Sequence, residues 1–290
     1  MAKEFRYEAD GETISVWAKS DEEVIERARE GLDSRGLSPS EEEIREHIEV
    51  IPSPQRIKSG TEGVFDERRR DCGRAAADVV ESGMTVGLGT GSTTAWAVAE
   101  VGRKVRDGGL EDIQGVATSL QSHDLAKEAK IPIVDLDQVV EIDVAIDGAD
   151  RYDPEHPHIV KGGGASHARE KLIDTVADRL VITTDAEKAQ SPLSYPVPLS
   201  VLPAAREAAK AWVRDLGGDP DLRYGQAKDG PLFTANGNLV LDCDFGDIEN
   251  VEGLASELSA IPAAQEHGLF VDLVDDVYVG SDDGVETVFF

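Results

Sequence analysis

The chain has 290 residues, of which 40% are apolar, so it is long enough for one large domain or for a core domain with smaller appendages. Its 58 acidic residues outnumber its 29 basic residues, and a net charge of −29 opposes binding to nucleic acid or to an anionic membrane. No apolar run approaches the roughly 20 residues of a membrane helix, and the first residues lack the apolar stretch of a secretion signal. With only two cysteines, a cytoplasmic protein with free thiols is expected. The acidic residues are spread along the chain, which is typical of halophilic adaptation to a high-salt cytoplasm.

Residues 1–60 predict a small α+β extension at the N-terminus. Residues 13–17 alternate in polarity as a strand does, and Ser20 with Glu23 forms a capping-box pattern that begins a helix. A second helical pattern covers residues 41–50, and Pro52-Ser53-Pro54 is typical of a linker. No motif with recognisable chemistry lies here. The extension is therefore a docking module, an oligomerisation arm or a solubility appendage.

From about residue 66 the sequence alternates regularly between strand and helix patterns. Such alternation predicts an α/β fold with an open, mostly parallel Rossmann-like sheet and helices on both faces. The predicted strands cover residues 84–88, 115–117, 131–134, 142–146 and 180–183. In sheets of this kind, ligands bind beyond the carboxyl ends of the strands.

After Pro192 the alternation gives way to a different pattern. Helices are predicted at residues 204–216 and 253–260, and Asn236-Gly237 is a strong hairpin signal. We expect residues 194–265 to form a small inserted α+β subdomain of the ferredoxin-like type. The Rossmann-like domain then comprises residues 66–193 and 266–290.

The first motif, GLGTGSTT, follows the strand at residues 84–88. Its glycines permit a tight turn, and the hydroxyls of Thr90, Ser92 and Thr93 stand at a helix N-terminus, where an anion is favoured. Ser92 occupies the place of the third glycine of a dinucleotide fingerprint, and no lysine follows Gly91 as in a nucleotide P-loop. The motif therefore predicts a phosphate site; a plain strand-to-helix turn is the alternative.

The second motif, AIDGAD, places Asp147 and Asp150 in a turn at the end of an apolar strand. Two carboxylates at this spacing can point into one cleft, where they bind sugar hydroxyls, hold a metal or divide acid and base roles. The alternative is a turn in which both aspartates only cap backbone N–H groups.

The third motif, VKGGGASHAREK, places a run of glycines before a predicted helix. Their backbone N–H groups form an anion-binding concavity made by Gly162, Gly163 and Gly164. We expect Lys161 at the mouth of this concavity and Glu170 about two turns into the helix, with its carboxylate reaching back to the same cleft. A base, a cation and an N–H cradle are what enediolate chemistry requires. His167 is expected to face solvent.

A fourth motif, TTDAEK, ends in Lys188 after another strand. Its position at a strand end makes Lys188 a candidate cation for a substrate phosphate. An ordinary surface lysine is the alternative.

Taken in order, GLGTGSTT, GVATSLQS, AIDGAD, VKGGGASHAREK and TTDAEK resemble the motifs of type A ribose-5-phosphate isomerase. The likeness covers roughly residues 66–290 and leaves residues 1–60 outside. It implies an aldose–ketose isomerase of the pentose phosphate route that uses no metal and no cofactor, acts on a small sugar phosphate and forms a homodimer or homotetramer. One departure is Arg151, which stands where the family usually has glutamate.

The resemblance also implies roles for individual residues. Glu170 is the base that moves a proton between C2 and C1 through a cis-enediolate, Asp147 assists ring opening, and Lys161 stabilises the developing charge. A basic residue of the first helix, Arg69 or Arg70, reaches the phosphate. The implied substrate-binding residues are Thr90, Gly91, Ser92, Thr93, Asp147, Gly148, Ala149, Asp150, Lys161, Gly162, Gly163, Gly164 and Lys188.

Two kinds of alternative function remain open at this point. The same scaffold serves amino-sugar phosphate deaminases and coenzyme A transferases, and a transferase would use Glu170 as a nucleophile. A non-catalytic sugar-phosphate sensor would use residues 1–60 as its output module, although the presence of Glu170, Asp147 and Lys161 disfavours it.

Overall fold

The structure is a computed structural model that describes residues 3–9, 12–18, 20–33, 40–46, 48–50, 67–225 and 229–290. The predicted linker Pro52-Ser53-Pro54 lies outside the described residues. No helix within these ranges is both long and apolar enough to cross a lipid bilayer.

The N-terminal residues form a three-stranded antiparallel sheet, in the order β2-β1-β3, and two helices. The elements are β1 (Lys3–Ala9), β2 (Glu12–Ala18), α1 (Asp21–Asp33), α2 (Glu41–Glu46) and β3 (Ile48–Val50). The predicted strand and first helix are confirmed, and Val24, Ala28 and Leu32 are buried at helical spacing. The prediction of a helix over residues 41–50 is wrong at its end, because residues 48–50 pair with β1 instead.

Residues 67–185 form α3 (Glu67–Ala76), β4 (Thr85–Leu88), α4 (Thr94–Arg106), β5 (Gln114–Ala117), α5 (Leu120–Ala129), β6 (Val144–Gly148), β7 (Arg151–Tyr152), β8 (Ile159–Val160), α6 (His167–Val176) and β9 (Leu180–Asp185). The remaining elements are β10 (Val197–Val201), α7 (Arg206–Asp215), β11 (Asp219–Leu222), β12 (Leu239–Asp244), α8 (Val251–Ser259), β13 (Ala264–His267), β14 (Leu269–Phe270), β15 (Asp276–Ser281) and β16 (Gly284–Phe289).

The central sheet has six strands in the order β16-β15-β9-β6-β4-β5. All neighbouring pairs are parallel except β15 with β16, so the predicted mostly parallel sheet is confirmed. The strand predicted at residues 131–134 is reduced to one parallel bridge between Gly115 and Ile133. Pro132 explains this, because it has no N–H with which to extend the ladder.

Both faces of the central sheet are buried, and side chains of β6 alternate between them. Val144 and Ile146 pack with α4 and α5 in one apolar cluster, whereas Ala145 packs on the other face with Phe270. Helix α6 covers this second face, where its Ile173 lies against the backbone of Gly87. Each fully buried aliphatic side chain contributes about 1.5–3 kcal/mol. This two-sided burial requires the continuous apolar runs seen in the sequence.

A second, antiparallel sheet has the order β11-β12-β10-β13 and packs with α7 and α8 around its own apolar core. The Asn236-Gly237 hairpin is confirmed, since a turn there leads from a bridge at Phe233 back to Leu239. The boundary expected at residue 266 is wrong, because β13 pairs with β10 in this small sheet. The chain re-enters the central sheet only with β15.

The parallel strands position the candidate site. The carboxyl ends of β4, β6 and β9 lie side by side, and each leads into a motif singled out in the sequence. The first turn of α6 comes beside them through the glycine run at residues 162–164.

Candidate active site

A cavity of about 790 Å³ lies at the carboxyl ends of the parallel strands. Its walls come from the loops after β4, β5 and β6, from the glycine run and first turn of α6, and from the small subdomain. Sequence-predicted site residues that line it are Thr90, Gly91, Ser92, Thr93, Gly148, Ala149, Asp150, Lys161, Gly162, Gly163, Gly164, Glu170 and Lys188. Its volume falls within the range of natural small-molecule sites.

The GLGTGSTT loop is held against the end of β6. The N–H of Thr90 donates to Asp147 Oδ1 at 2.9 Å, and its hydroxyl donates to Ser119 Oγ at 2.7 Å. A side chain at Gly89 would bring its Cβ within 2.3 Å of Asp147 Oδ1, which explains the glycine there. Thr93 then occupies the N-cap position of α4, and the N–H of Ala95 donates to the Gly91 carbonyl at 3.0 Å, which ties the loop to the start of the helix.

Asp147 is fully buried and does not line the cavity. Its Oδ1 accepts the N–H groups of Thr90 and Gly148, at 2.9 and 2.7 Å, and its Oδ2 lies 2.8 Å from Lys161 Nζ. Asp147 is therefore held inside the protein behind the cavity wall, and its contact with substrate stays a prediction. Asp150, by contrast, lines the cavity and accepts the N–H of Gly163 at 2.7 Å.

Lys161 lies in the cavity wall, with 3% of the residue exposed, and not at a solvent-facing mouth. Its ammonium donates to the Gly148 carbonyl at 2.5 Å and lies 2.8 Å from Asp147 Oδ2 and 3.7 Å from Glu170 Oε2. Burial disfavours its cation, but the neighbouring carboxylates outweigh burial and raise the pKa of Lys161. The cation is therefore permanent at neutral pH.

Glu170 is 3% exposed, and its Oε2 has no hydrogen-bond partner among the residues that the structure describes. Burial raises the pKa of Glu170 to about 8, against the opposing pull of Lys161. One helical turn later, Asp174 is 2% exposed with both oxygens unpaired by hydrogen bonds within the described ranges. Burial, aided by the Asp147 carboxylate, holds the pKa of Asp174 well above its usual value of 3.8.

The glycine run needs its residue type for steric reasons. Gly162 has a φ of +103°, and a Cβ on Gly163 would lie 2.6 Å from Asp150 Oδ1. Outside the run, the guanidinium of Arg223 donates to the Gly162 carbonyl at 2.7 Å and the Gly163 carbonyl at 3.3 Å.

The prediction of a solvent-facing His167 is wrong. The residue is fully buried, with Nε2 2.8 Å from Ser200 Oγ and 3.2 Å from the Glu266 carbonyl. Burial lowers the pKa of His167 to about 4, so the ring is neutral at pH 7. It does not line the cavity, and it joins α6 to the small sheet.

Two cations were expected at the phosphate. Lys188 lines the cavity and donates to the Ala149 carbonyl at 2.8 Å, and burial lowers its pKa. Arg69 does not line the cavity, and its contact with the phosphate stays a prediction. It supports the loop from behind by donating to Ser92 Oγ at 3.1 Å. Arg70 lies 2.9 Å from Asp71 Oδ1 and is not at this loop.

Some cavity residues were missed by sequence reasoning. Thr118 and Ser119 follow the carboxyl end of β5, so the strand-end rule that selected the other loops also applies to them. Residues 232–236 also line the cavity but come from the inserted subdomain, to which that rule does not apply. Arg223 lies far from the site in sequence, and no local pattern marks it.

Comparisons with known proteins point to one family. A family model described as ribose 5-phosphate isomerase A (phosphoriboisomerase A) matches residues 114–284. Ribose-5-phosphate isomerase A of Haloarcula marismortui is 50% identical over 224 residues, which are 77% of this chain and 96% of the relative. The same enzyme of Natronomonas pharaonis is 51% identical over 77% of this chain and 97% of the relative.

Solved structures that resemble this protein belong to the same family. Ribose 5-phosphate isomerase A of Methanocaldococcus jannaschii superposes with a TM-score of 0.74 and 35% identity, over 78% of this chain and 99% of the other. A D-ribose-5-phosphate isomerase in complex with phospho-erythronic acid gives a TM-score of 0.76 and 39% identity over the same shares.

Proposed function

Because this chain belongs to the ribose 5-phosphate isomerase A family, we propose that it interconverts ribose 5-phosphate and ribulose 5-phosphate by proton transfer at Glu170. The observation that carries the proposal is the buried Glu170 carboxylate, whose Oε2 has no hydrogen-bond partner in the described residues, in the wall of a cavity shared with Lys161.

The phosphate is assigned to the loop at residues 90–93. Hydroxyls and backbone N–H groups at the start of α4 bind an anion well, and Lys188 lies across the same cavity. The global charge of −29 repels an anionic substrate, so these local groups must supply the attraction. Arg69 acts by orienting Ser92.

The proton step is assigned to Glu170. The ionised carboxylate removes the C2 proton of the open-chain aldose, the hydroxyl proton of O2 passes to O1 within the cis-enediolate, and the resulting glutamic acid returns a proton to C1. A pKa of about 8 makes Glu170 a stronger base than an exposed glutamate. A positioned base of this kind contributes about a hundred- to ten-thousandfold to the rate.

The negative charge that develops on O1 and O2 needs donors aimed at it. Lys161 and the glycine run supply them, and one such donor is worth about 3–4 kcal/mol in the transition state. Asp147 is assigned a supporting role, since it holds Lys161 and the Thr90 loop in place. Asp150 is the carboxylate placed to meet sugar hydroxyls.

Phospho-erythronic acid, the ligand of one relative, carries a carboxylate and a phosphate on a four-carbon chain. A carboxylate resembles the charge of an enediolate, so this acid is expected to bind more tightly than substrate. We propose it as a competitive inhibitor of this protein.

The domain organisation is also a proposal. The order β10-α7-β11-β12-α8-β13 with the sheet order β11-β12-β10-β13 supports a ferredoxin-like subdomain. The relatives are matched almost completely by 77% of this chain, which supports residues 1–60 as a separate extension. We propose a cytoplasmic homodimer or homotetramer that binds no nucleic acid and no membrane. Removal of residues 1–63 should leave turnover and assembly size unchanged; an inactive or aggregated product would make the extension part of the fold.

The experiment that tests the activity is an incubation with ribose 5-phosphate in high salt, because the haloarchaeal relatives and the acidic composition favour such conditions. Ketose formation without added metal or cofactor is the expected result. Unphosphorylated ribose and arabinose 5-phosphate serve as controls and should react far more slowly. Absence of ketose from ribose 5-phosphate would overturn the proposal.

A further inference from the structure

Arg223 joins the small subdomain to the glycine run of the cavity. It follows β11, and 16% of its side chain is exposed. One edge of its guanidinium donates to the carbonyls of Gly162 and Gly163, at 2.7 and 3.3 Å. Its Nε donates to Asp242 Oδ2 at 2.8 Å, and a terminal nitrogen donates to Oδ1 of the same carboxylate. Asp242 therefore fixes the plane of the guanidinium.

The direction of each carbonyl fixes the direction of an N–H group. In a trans peptide the C=O and the N–H point to opposite sides. The carbonyl of Gly162 points to Arg223, and the N–H of the same peptide, from Gly163, donates to Asp150 at 2.7 Å. The next peptide has its carbonyl on Arg223 as well, so the N–H of Gly164 points away from Arg223.

The N–H of Gly164 is available to donate a hydrogen bond to a molecule in the cavity. Gly164 lines the cavity, and none of the hydrogen bonds between described residues uses its N–H. The N–H of Gly163 is occupied by Asp150, so the glycine run offers fewer oxyanion donors than its sequence suggests. Within the run, no hydrogen bond between described residues uses the N–H groups of Gly162 and Gly164, and Gly164 is the one whose peptide carbonyl Arg223 holds.

We infer that Arg223 is a positioning residue for the isomerisation: it holds the carbonyls of Gly162 and Gly163 so that the N–H of Gly164 serves, with Lys161, as an oxyanion donor to the enediolate. This inference rests on the proposed isomerase function. Glycines hold no preferred orientation by themselves, so an outside constraint is needed. The planar fork of arginine suits two adjacent carbonyls and a carboxylate, which a lysine cannot satisfy together.

The backbone of Arg223 strengthens this link. Its carbonyl accepts the N–H of Leu232 at 2.9 Å, where the cavity-lining residues 232–236 begin. Its N–H donates to the Val240 carbonyl at 2.9 Å within the small sheet. The residue is therefore anchored in the subdomain and contacts two walls of the cavity.

The test compares Arg223→Met, Arg223→Lys and Asp242→Asn in the full-length chain. Loss of one oxyanion donor costs about a hundred- to a thousandfold in kcat, so a misdirected donor should cost Arg223→Met about ten- to a hundredfold. KM should stay within about threefold, since the phosphate and hydroxyl contacts are untouched. Arg223→Lys and Asp242→Asn should lose less. Inhibition by phospho-erythronic acid should weaken in parallel with kcat.

Chemical rescue separates positioning from general stability. Guanidinium ion added to Arg223→Ala should restore part of kcat, and methylammonium should restore less. The matched control is Arg206→Met in the same subdomain, where the arginine lies 2.7 Å from Glu207 at the surface. The control should keep its kcat.

Three outcomes would overturn the inference: native kcat in folded Arg223→Met, a rise in KM with kcat unchanged, or equal inhibition of all variants by phospho-erythronic acid. If Arg223→Met does not fold, the same criteria apply to Arg223→Lys and Asp242→Asn. A wild-type protein that forms no ketose contradicts the proposed function instead, so the two failures are distinguishable.

Discussion

Two lysines lie over the ring of Phe270, the buried Lys161 with its ammonium group 5.6 Å from the ring centroid and the half-buried Lys171 at 5.0 Å. Lys171 donates to Glu266 Oε1 at 2.6 Å and to the His267 carbonyl at 2.7 Å. Burial lowers the pKa of Lys171, whereas the carboxylates around Lys161 raise that of Lys161. The same residue type in the same layer of the fold thus has opposite electrostatic surroundings.

The number of carboxylates explains the difference. Among the residues that the structure describes, Lys171 has one carboxylate partner, Glu266, whose side chain is 25% exposed. Lys161 is surrounded by Asp147, Glu170 and Asp174, all nearly fully buried. Burial raises the pKa values of Glu170 and Asp174, and the neighbouring carboxylates add to this because one cation does not compensate three of them. Around Lys161, the buried carboxylates outnumber the cation, and Glu170 becomes a strong base. Lys171 and Glu266 form a pair of equal and opposite charges, which has only a structural role.

The largest expected effect is on turnover by Glu170→Gln. Loss of the base should lower kcat at least about a hundredfold while phospho-erythronic acid still binds. The matched variant is Glu266→Gln in the Lys171 pair, which should keep its kcat and lose thermal stability. Steady-state kinetics with inhibitor titration measure both. Equal losses of kcat in the two variants would contradict the assignment of a catalytic role to the residues around Lys161 and a structural role to the Lys171–Glu266 pair.

Lys161→Met and Lys171→Met test the two cations directly. Lys161→Met should lower kcat about a hundred- to a thousandfold, because an oxyanion donor is lost. Its stability should also fall, by about 3–5 kcal/mol, because buried carboxylates remain without their cation. Lys171→Met should lose about 1–3 kcal/mol of unfolding free energy and keep kcat per folded molecule. Urea unfolding together with kinetics separates these outcomes; a native kcat in Lys161→Met contradicts the assignment.

The pH dependence should reveal the raised pKa of Glu170. Only the ionised carboxylate accepts the C2 proton. The value of kcat/KM should therefore fall tenfold for each pH unit below the Glu170 pKa of about 8. Lys171→Met should not change the pH at which kcat/KM begins to fall, because Lys171 does not contact Glu170. If kcat/KM is constant from pH 5 to 8, Glu170 is fully ionised over this range, which would contradict its raised pKa.

The smallest effect concerns Asp174. Its folded-state pKa lies above the unfolded value of 3.8, so its contribution to stability is complete below that pH and is lost as pH rises. Asp174→Asn should therefore raise Tm at pH 8, by about 2–4 °C for each kcal/mol regained, and not at pH 4. Asp178→Asn at the surface is the control. An unchanged Tm at pH 8 would place Asp174 outside the cluster.

Much of this organisation can be predicted from the sequence. Strand–helix alternation predicts the parallel sheet, and the strand-end rule brings the Thr90, Asp150, Lys161 and Lys188 motifs to one cavity. Both follow from local periodicity and from a general property of parallel sheets. The path of the chain beyond residue 264 was missed, because pairing of β13 with β10 depends on contacts distant in sequence.

Side-chain direction is where sequence reasoning ends. The AIDGAD pattern locates a turn, yet it does not reveal that Asp147 points into the protein while Asp150 points into the cavity. His167 has polar neighbours in sequence and is buried only because the small sheet packs over it. Arg223 acts across more than fifty residues of chain, and no local pattern encodes such a contact.

The central claim, that Glu170 removes the C2 proton, is tested most directly with ribose 5-phosphate carrying deuterium at C2. The wild-type protein in high salt should release deuterium to solvent as ketose forms. Glu170→Gln should release none above background while it still binds phospho-erythronic acid, and Glu266→Gln should behave as the wild type does. Release of deuterium by Glu170→Gln at a near wild-type rate would contradict the account.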